Sequence, residues 1–271
     1  MIKLETNIIY NEDCLEGMKK LPDNSIDLII TSPPYLNLRE YSYWESYEKY
    51  LDDVNLWFEE MSRILKKGGY IGWNVQENIP NPTDKTRYYY PLLADSIKIG
   101  NSKKLIWENN IIWNKKNSTQ NYFGSYPYPQ TPIFWNMTEP ICIFRKPGKR
   151  NMDMKEKEKC KLDKKRWYEI VRGYWEIPPV RASEIGHSAP FPEEIPKRLI
   201  EITTVESSVV LDPFMGSGTT AIVAEKLNRN FIGYELKKEY YYLSLKRLGK
   251  INSKYYEQLP QEEKPAQLQL F

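Results

Sequence analysis

Ser207-Ser208-Val209-Val210-Leu211-Asp212-Pro213-Phe214-Met215-Gly216-Ser217-Gly218-Thr219-Thr220 joins a short apolar run to a glycine-rich turn. The run is long enough for one buried strand. Ala221–Leu227 then reads as a helix, Asn228-Arg229-Asn230 as a turn, and Phe231–Tyr234 as a strand closed by Glu235. Strand, glycine turn, helix, strand and acid form the arrangement of an adenosine-cofactor site. Gly216 and Gly218 let the backbone approach a ligand closely, and Glu235 stands where a carboxylate accepts both ribose hydroxyls. The acid follows Gly216 by 19 residues, close to the roughly 20 expected. Several nucleotide cofactors share this arrangement, and a glycine turn before a packing helix is the plain alternative. The missing third glycine and the preceding Asp212 speak against a dinucleotide. Without Gly-Lys-Ser/Thr there is no P-loop.

The same rhythm runs through the first part of the chain. Asn7–Tyr10 reads as a strand, Cys14–Leu21 as a helix and Ile26–Ile30 as a buried strand. Glu48–Leu65 carries apolar residues near a 3.6 period and reads as an amphipathic helix. Lys66-Lys67-Gly68-Gly69 supplies a basic, glycine helix stop before the strand Tyr70–Val75. Repeated β-α-β units predict a mostly parallel sheet with helices on its faces. Tyr90–Ile99 and Glu193–Ile202 read as further helices, Leu105–Trp113 and Pro140–Phe144 as strands, and Lys237–Leu248 as a last helix.

Thr31-Ser32-Pro33-Pro34-Tyr35 stops the Ile26–Ile30 strand abruptly. Prolines lack an N–H and fix φ, so two in a row take the chain out of the sheet in a rigid turn. Ligands of open α/β sheets bind beyond the carboxyl ends of strands. A hydroxyl, two prolines and an aromatic ring are therefore expected at the place for chemistry. A proline turn with a packing tyrosine is the alternative.

Composition narrows the class. The chain has 271 residues, 41% apolar, with a net charge of +3. No run reaches the ~18 apolar residues of a membrane span, and Met1–Thr6 lacks a signal-peptide core. Cys14, Cys142 and Cys160 are widely spaced and fit a reducing, cytoplasmic setting better than a disulfide framework or zinc site. The single histidine, His187, excludes a multi-histidine metal centre. Arg145–Arg166 holds eleven Lys or Arg against four Asp or Glu. Such a run is either a solvated linker or a nucleic-acid-facing segment. Asn114–Pro132 reads as a long surface loop, a length usually associated with function or mobility.

Taken together, Asp212-Pro-Phe-Met-Gly-Ser-Gly-Thr-Thr220 and Thr31-Ser-Pro-Pro-Tyr35 resemble the S-adenosyl-L-methionine-dependent DNA amino-methyltransferases. Catalytic motif first and cofactor motif last resembles the beta class. Asn11–Cys14, Ile111-Ile112-Trp113-Asn114-Lys115 and His187–Pro192 match as well, so the resemblance covers roughly residues 7 to 250. It implies a circularly permuted Rossmann-like fold with a seven-stranded, mostly parallel sheet, and methylation of cytosine N4 or adenine N6. It assigns S-adenosyl-L-methionine to Asp13, Asp212, Phe214, Gly216, Gly218, Thr219, Thr220 and Glu235, with Asp212 facing the methionine amine, Asp13 near the adenine amine and Glu235 on the ribose. Glu12, where the family often has glycine, departs from the pattern and leaves the turn at Asp13 less defined.

The chemistry explains the remaining motif. An exocyclic amine is a poor nucleophile because its lone pair is delocalised into the ring. The Ser32 hydroxyl and the Pro33 carbonyl can accept from its two N–H bonds and draw it towards sp3 geometry. Pro34 stiffens that carbonyl, and Tyr35 can stack on the base. His187 is a lesser candidate as general base. Serine at the head of the tetrapeptide favours cytosine N4 within the family, with adenine N6 as the alternative. An RNA or protein-amine methyltransferase, or a catalytically silent DNA-binding module, are the competing readings. Double-stranded DNA is the expected partner, met by Lys146, Lys149, Arg150, Lys164, Lys165 and Arg166. A restriction endonuclease partner and a homodimer are left open. We expect a catalytic domain over residues 1–256, a basic target-recognition insert over 145–174 and a flexible tail over 257–271. The tail ends in Gln267-Leu268-Gln269-Leu270-Phe271, which resembles the peptides that bind bacterial sliding clamps.

Overall fold

The computed structural model of the chain describes residues 4–36, 44–81, 88–116, 125–130, 132, 134, 136–150, 152–187 and 190–251. The terminal Gln267–Phe271 motif and, within the Asn114–Pro132 loop, residues 117–124 and 131 lie outside these residues. The elements run β1 (Ile8–Tyr10), α1 (Cys14–Lys19), β2 (Ile26–Thr31), α2 (Tyr47–Ile64), β3 (Leu65–Asn74), β4 (Ile79–Pro80), β5 (Tyr89–Tyr90) and α3 (Leu92–Ser102). They continue with β6 (Ile106–Asn114), β7 (Thr138–Arg145), α4 (Met154–Lys159), α5 (Lys164–Val171), β8 (Tyr174–Glu176) and α6 (Ala182–Ile185). The cofactor half is α7 (Glu194–Thr203), β9 (Val209–Asp212), α8 (Thr219–Lys226), β10 (Asn230–Tyr234) and α9 (Lys238–Arg247).

The main sheet has the order β1-β10-β9-β2-β3-β7-β6-β8, and β4 pairs with β5 apart from it. Every pairing in the main sheet is parallel except the two that β7 makes, with β3 and β6. The sheet is mostly parallel as expected, but it has eight strands rather than seven, the three-residue β8 lying at its edge. All six residues of β2 are buried because both faces of the sheet are covered. Ile29 and Leu211 face α2, packing with Val54, Phe58 and Met61. Leu28, Ile30 and Val210 face the other way, with Ile195 and Leu199 of α7.

Two sequence expectations are corrected at the far end of the strands. The α2 helix does not end on its glycines: it stops at Ile64, capped by an extended Leu65, and Lys66–Gly69 begin β3. Gly68 has φ +72°, and a Cβ there would lie 3.0 Å from the backbone nitrogen of Arg150. Glycine is needed because the chain leaving β7 crosses at this point, where Gly68 donates to the Lys146 carbonyl at 2.9 Å.

The second correction concerns the basic segment. Lys146 Nζ donates to the carbonyls of Ser62 at 2.6 Å and Leu65 at 2.7 Å, satisfying the C-terminus of α2. Arg150 pairs with the buried Asp27, which also accepts from Lys66 Nζ at 2.9 Å and the Val209 amide at 2.7 Å. Arg166 binds Glu201 at 2.6 Å, Glu194 at 2.9 Å and Glu169 at 3.2 Å, fastening α5 to α7. The sequence reading offers these three cations as DNA contacts or as part of a solvated linker; in the fold they are engaged in bonds that hold its elements together. Lys149, Lys164 and Lys165 are exposed. Because β7 is antiparallel, Ile141 lies beside Asn74 at the end of β3 and Arg145 beside Tyr70, four residues back, so residues 145–150 emerge towards the opposite end of the strands from the two motifs.

Candidate active site

One cavity of about 840 Å³ opens where β2, β3, β9 and β10 end and β7 begins. It brings the two motifs together: Ser32, Pro33, Pro34 and Tyr35 line it with Asp13, Asp212, Phe214, Gly216, Thr219, Thr220 and Glu235. Gly218 stands behind this lining as the left-handed residue before α8, at φ +83°, where a Cβ would meet Ser244 at 2.9 Å.

Asp212 ends β9 and is 5% exposed. Its Oδ1 accepts from Thr31 Oγ1 at 2.6 Å and the Phe214 amide at 3.1 Å, and its Oδ2 from Thr220 Oγ1 at 2.6 Å. Burial pushes its carboxyl up to about 6, although the three donors favour the charged form. Most of its acceptor capacity is therefore used to set the turn, and it reaches a ligand only with what remains. Thr219 likewise braces the turn: Arg247 of α9 donates to its hydroxyl at 3.1 Å and to the Ser217 carbonyl at 2.6 Å.

Glu235 follows β10. Its Oε2 accepts from the Gly216 amide and its Oε1 from the Lys237 amide, both at 2.8 Å. Burial pushes it up to about 7, and the nearby Asp212 adds to the rise while the two amides oppose it. Asn11 ties the end of β1 to this loop by donating to the Glu235 carbonyl at 2.8 Å. Asp13 caps α1 through Oδ1, which accepts from Leu15 N at 2.9 Å and Glu16 N at 3.2 Å. Glu12, the departure from the family pattern, pairs with Lys20. Phe214 packs edge-on against Trp57, centroids 4.8 Å apart, giving the wall an aromatic face.

Across the cavity, Ser32 Oγ lies 3.3 Å from the Tyr35 hydroxyl, which donates to the Asn74 carbonyl at 3.4 Å. His187 belongs to the cofactor side rather than beside Ser32. Its ring lies 4.2 Å from that of Tyr240, and a Cβ on Gly216 would fall 2.9 Å from its Nε2. Cys14 and Cys142 are buried and burial pushes both thiols up, which leaves them poor nucleophiles. Among the described residues, no group of three or more His, Cys, Asp or Glu is placed to hold a metal ion. No described helix is long and apolar enough to cross a membrane.

Sequence reasoning missed one part of the wall. Lys115, just beyond β6, pairs with Glu139 of β7, and Asn74 Nδ2 approaches the other Glu139 oxygen at 3.4 Å. All three line the cavity. The only signal in the sequence was the Ile111–Lys115 match, which carried no role.

This geometry agrees with what known proteins show. The profile of the N6/N4 methyltransferase family, described as DNA methylase, matches residues 26–246. The chain belongs to this family of DNA amino-methyltransferases. The Type II methyltransferase M.BglII of Bacillus subtilis is 30% identical over 88% of the chain and 68% of its own length. The Type II beta methyltransferase M.BslI of a Bacillus species is 31% identical over 87% of the chain. The chain spans only 27% of M.BslI, so that protein's whole activity is not carried over. The putative DNA modification methylase TTHA0409 of Thermus thermophilus, solved with S-adenosyl-L-methionine, superposes with a TM-score of 0.76 at 30% identity, over 89% of this chain and 93% of that one.

The cavity of this family member fits S-adenosyl-L-methionine. Glu235 offers a carboxylate whose oxygens each hold one amide and keep room for a hydroxyl, Phe214 and Trp57 supply an apolar wall, and the glycine turn leaves backbone accessible. When bound there, S-adenosyl-L-methionine supplies an activated methyl group. Ser32, Pro33 and Pro34 line the same cavity, so the turn they form is where an acceptor amine would be positioned.

Proposed function

We propose that this enzyme methylates the N4 amine of cytosine in double-stranded DNA, after the base has left the duplex. The observation that carries the reading is Ser32: a hydroxyl, not a carboxylate, heads the tetrapeptide, half-buried in the cavity beside Tyr35. Taking a base out of the stack costs a few kcal/mol. Stacking on one aromatic ring returns about 1–3 kcal/mol, which supports Tyr35 as the platform.

The family relationship supports DNA as substrate, and the naming of relatives as Type II methyltransferases supports a restriction endonuclease of matching specificity as a companion. Lys164 and Lys165 on α5 are exposed and remain able to meet phosphates, with Lys164 Nζ 5.8 Å from the centre of the Tyr168 ring. Expression in a methylation-free host, followed by long-read sequencing of its DNA, tests the reading. It predicts N4-methylcytosine at one defined site. N6-methyladenine at a defined site would replace it with the alternative.

A further inference from the structure

The Lys115–Glu139 pair is unexplained by cofactor binding or by the Ser32 mechanism. Both residues sit where β6 ends and β7 begins against the cavity, and the ladder between these strands sets Trp113 opposite Glu139. The Lys115 amide continues that ladder to the Met137 carbonyl at 3.0 Å. Glu139 is 9% exposed. Lys115 Nζ pairs with its carboxylate and lies over the face of Trp113, 4.9 Å from the ring centre. Holding such a pair away from water gains little stability over apolar residues of similar size. Its position is better explained by what the ammonium faces.

A chain of contacts leads from the pair to the catalytic turn. Glu139 accepts from Asn74 Nδ2 at 3.4 Å, the Asn74 carbonyl accepts from Tyr35, and the Tyr35 hydroxyl lies 3.3 Å from Ser32 Oγ. A base whose amine was held at Ser32 would meet this wall with the edge that continues from the amine. In cytosine the atoms following N4 on that edge are N3 and O2, both acceptors. In adenine the edge after N6 offers one acceptor, N1, and then a C–H. An ammonium, with three donors and no acceptor, complements the cytosine edge.

We infer that Lys115 is a specificity-determining residue that donates to the N3/O2 edge of the target cytosine, with Glu139 as the positioning residue that aims it. The inference rests on the N4-cytosine reading. A donor on N3 or O2 favours delocalisation of the N4 lone pair and does not speed attack. Lys115 therefore acts in recognition, and its loss appears in KM rather than kcat.

The test uses the full-length enzyme and duplexes carrying its methylation site with either cytosine or 3-deazacytosine, in which N3 is replaced by C–H. A hydrogen bond to a charged donor separates the two substrates by about 10–100-fold. The wild type should show that difference in KM, with kcat within a few-fold. The variant Lys115→Met should lose the discrimination while binding S-adenosyl-L-methionine normally. Should that variant fail to fold with Glu139 left unpaired, Lys115→Met/Glu139→Leu removes the charge pair together and should lose it equally. Because easier flipping of the weakly paired analogue affects every variant alike, the coupling between variant and analogue is the readout. A folded variant that discriminates as the wild type does overturns the assignment. A wild type that methylates adenine fails the cytosine reading before any variant is compared, and this inference with it.

Discussion

Thr31 Oγ1 donates to Asp212 Oδ1 at 2.6 Å, across 181 residues of sequence. Thr31 is the last residue of β2, immediately before Ser32; Asp212 is the last of β9, immediately before the glycine turn. The two strands are parallel neighbours, with Ile29 beside Leu211. One buried bond thus fixes the Ser32–Tyr35 turn against the glycine turn, and in the proposed reaction alignment of amine and methyl group can supply a large part of the rate.

Thr31→Val keeps the shape and removes this donor. Asp212 then keeps Thr220 and the Phe214 amide but loses one partner in a buried site. The expected loss of stability is about 1–3 kcal/mol, read as a lowered urea midpoint, together with a reduced kcat. An unchanged midpoint and kcat would show that the bond positions nothing.

Glu235 sets a pH dependence whose sign follows from its raised carboxyl, about 7 in the fold against an ordinary 4.5. Between these values the folded protein holds a proton that the unfolded chain releases, so the ligand-free fold loses stability as pH rises from about 4.5 to 7. Ribose hydroxyls donate best to the charged carboxylate. Affinity for S-adenosyl-L-methionine should therefore rise as pH passes upward through about 7. Calorimetry on Glu235→Gln should show weaker binding and no step near that pH; an identical pH profile would remove Glu235 from the ribose.

Ser32→Ala should lower kcat by about 100-fold or more, as loss of a group that acts on the reacting atoms does. Affinity for S-adenosyl-L-methionine should stay near normal, since the proposed role of Ser32 is towards the acceptor amine. Single-turnover methylation and cofactor titration separate the two effects, and full turnover by the variant would refute the amine mechanism.

Lys164, Lys165 and Arg166 should behave differently despite being neighbours. Neutralising Lys164 and Lys165 should lower the slope of log affinity against log salt on duplex DNA by about 0.9 for each phosphate left without its cation. Arg166→Ala breaks bonds to three carboxylates and should instead cost about 2 kcal/mol of stability. Equal effects of both changes on the salt slope would contradict the division of roles.

The fold was legible where local patterning and tertiary packing agree. The apolar run of β2, the 3.6 period of α2 and the glycine turn before α8 each give the right element within about two residues. Gly68 and Gly69 misled because Gly68 serves a distant chain crossing, a contact no local pattern encodes. Charge misled for the same reason: Lys146, Arg150 and Arg166 look solvated until Leu65, Asp27 and Glu201 are brought beside them. At the site, the two motifs were readable because each is contiguous. Lys115 and Glu139 were not, because their meeting depends on the antiparallel register of β6 and β7.

The central claim is methyl transfer to cytosine N4 by the Ser32–Tyr35 turn. Mass spectrometry of nucleosides from the DNA of a methylation-free host tests it most directly, comparing cells that express the wild type with cells that express Ser32→Ala. The account predicts N4-methyldeoxycytidine in the first and its near absence in the second. Equal N4-methyldeoxycytidine in both, or N6-methyldeoxyadenosine in its place, would contradict it.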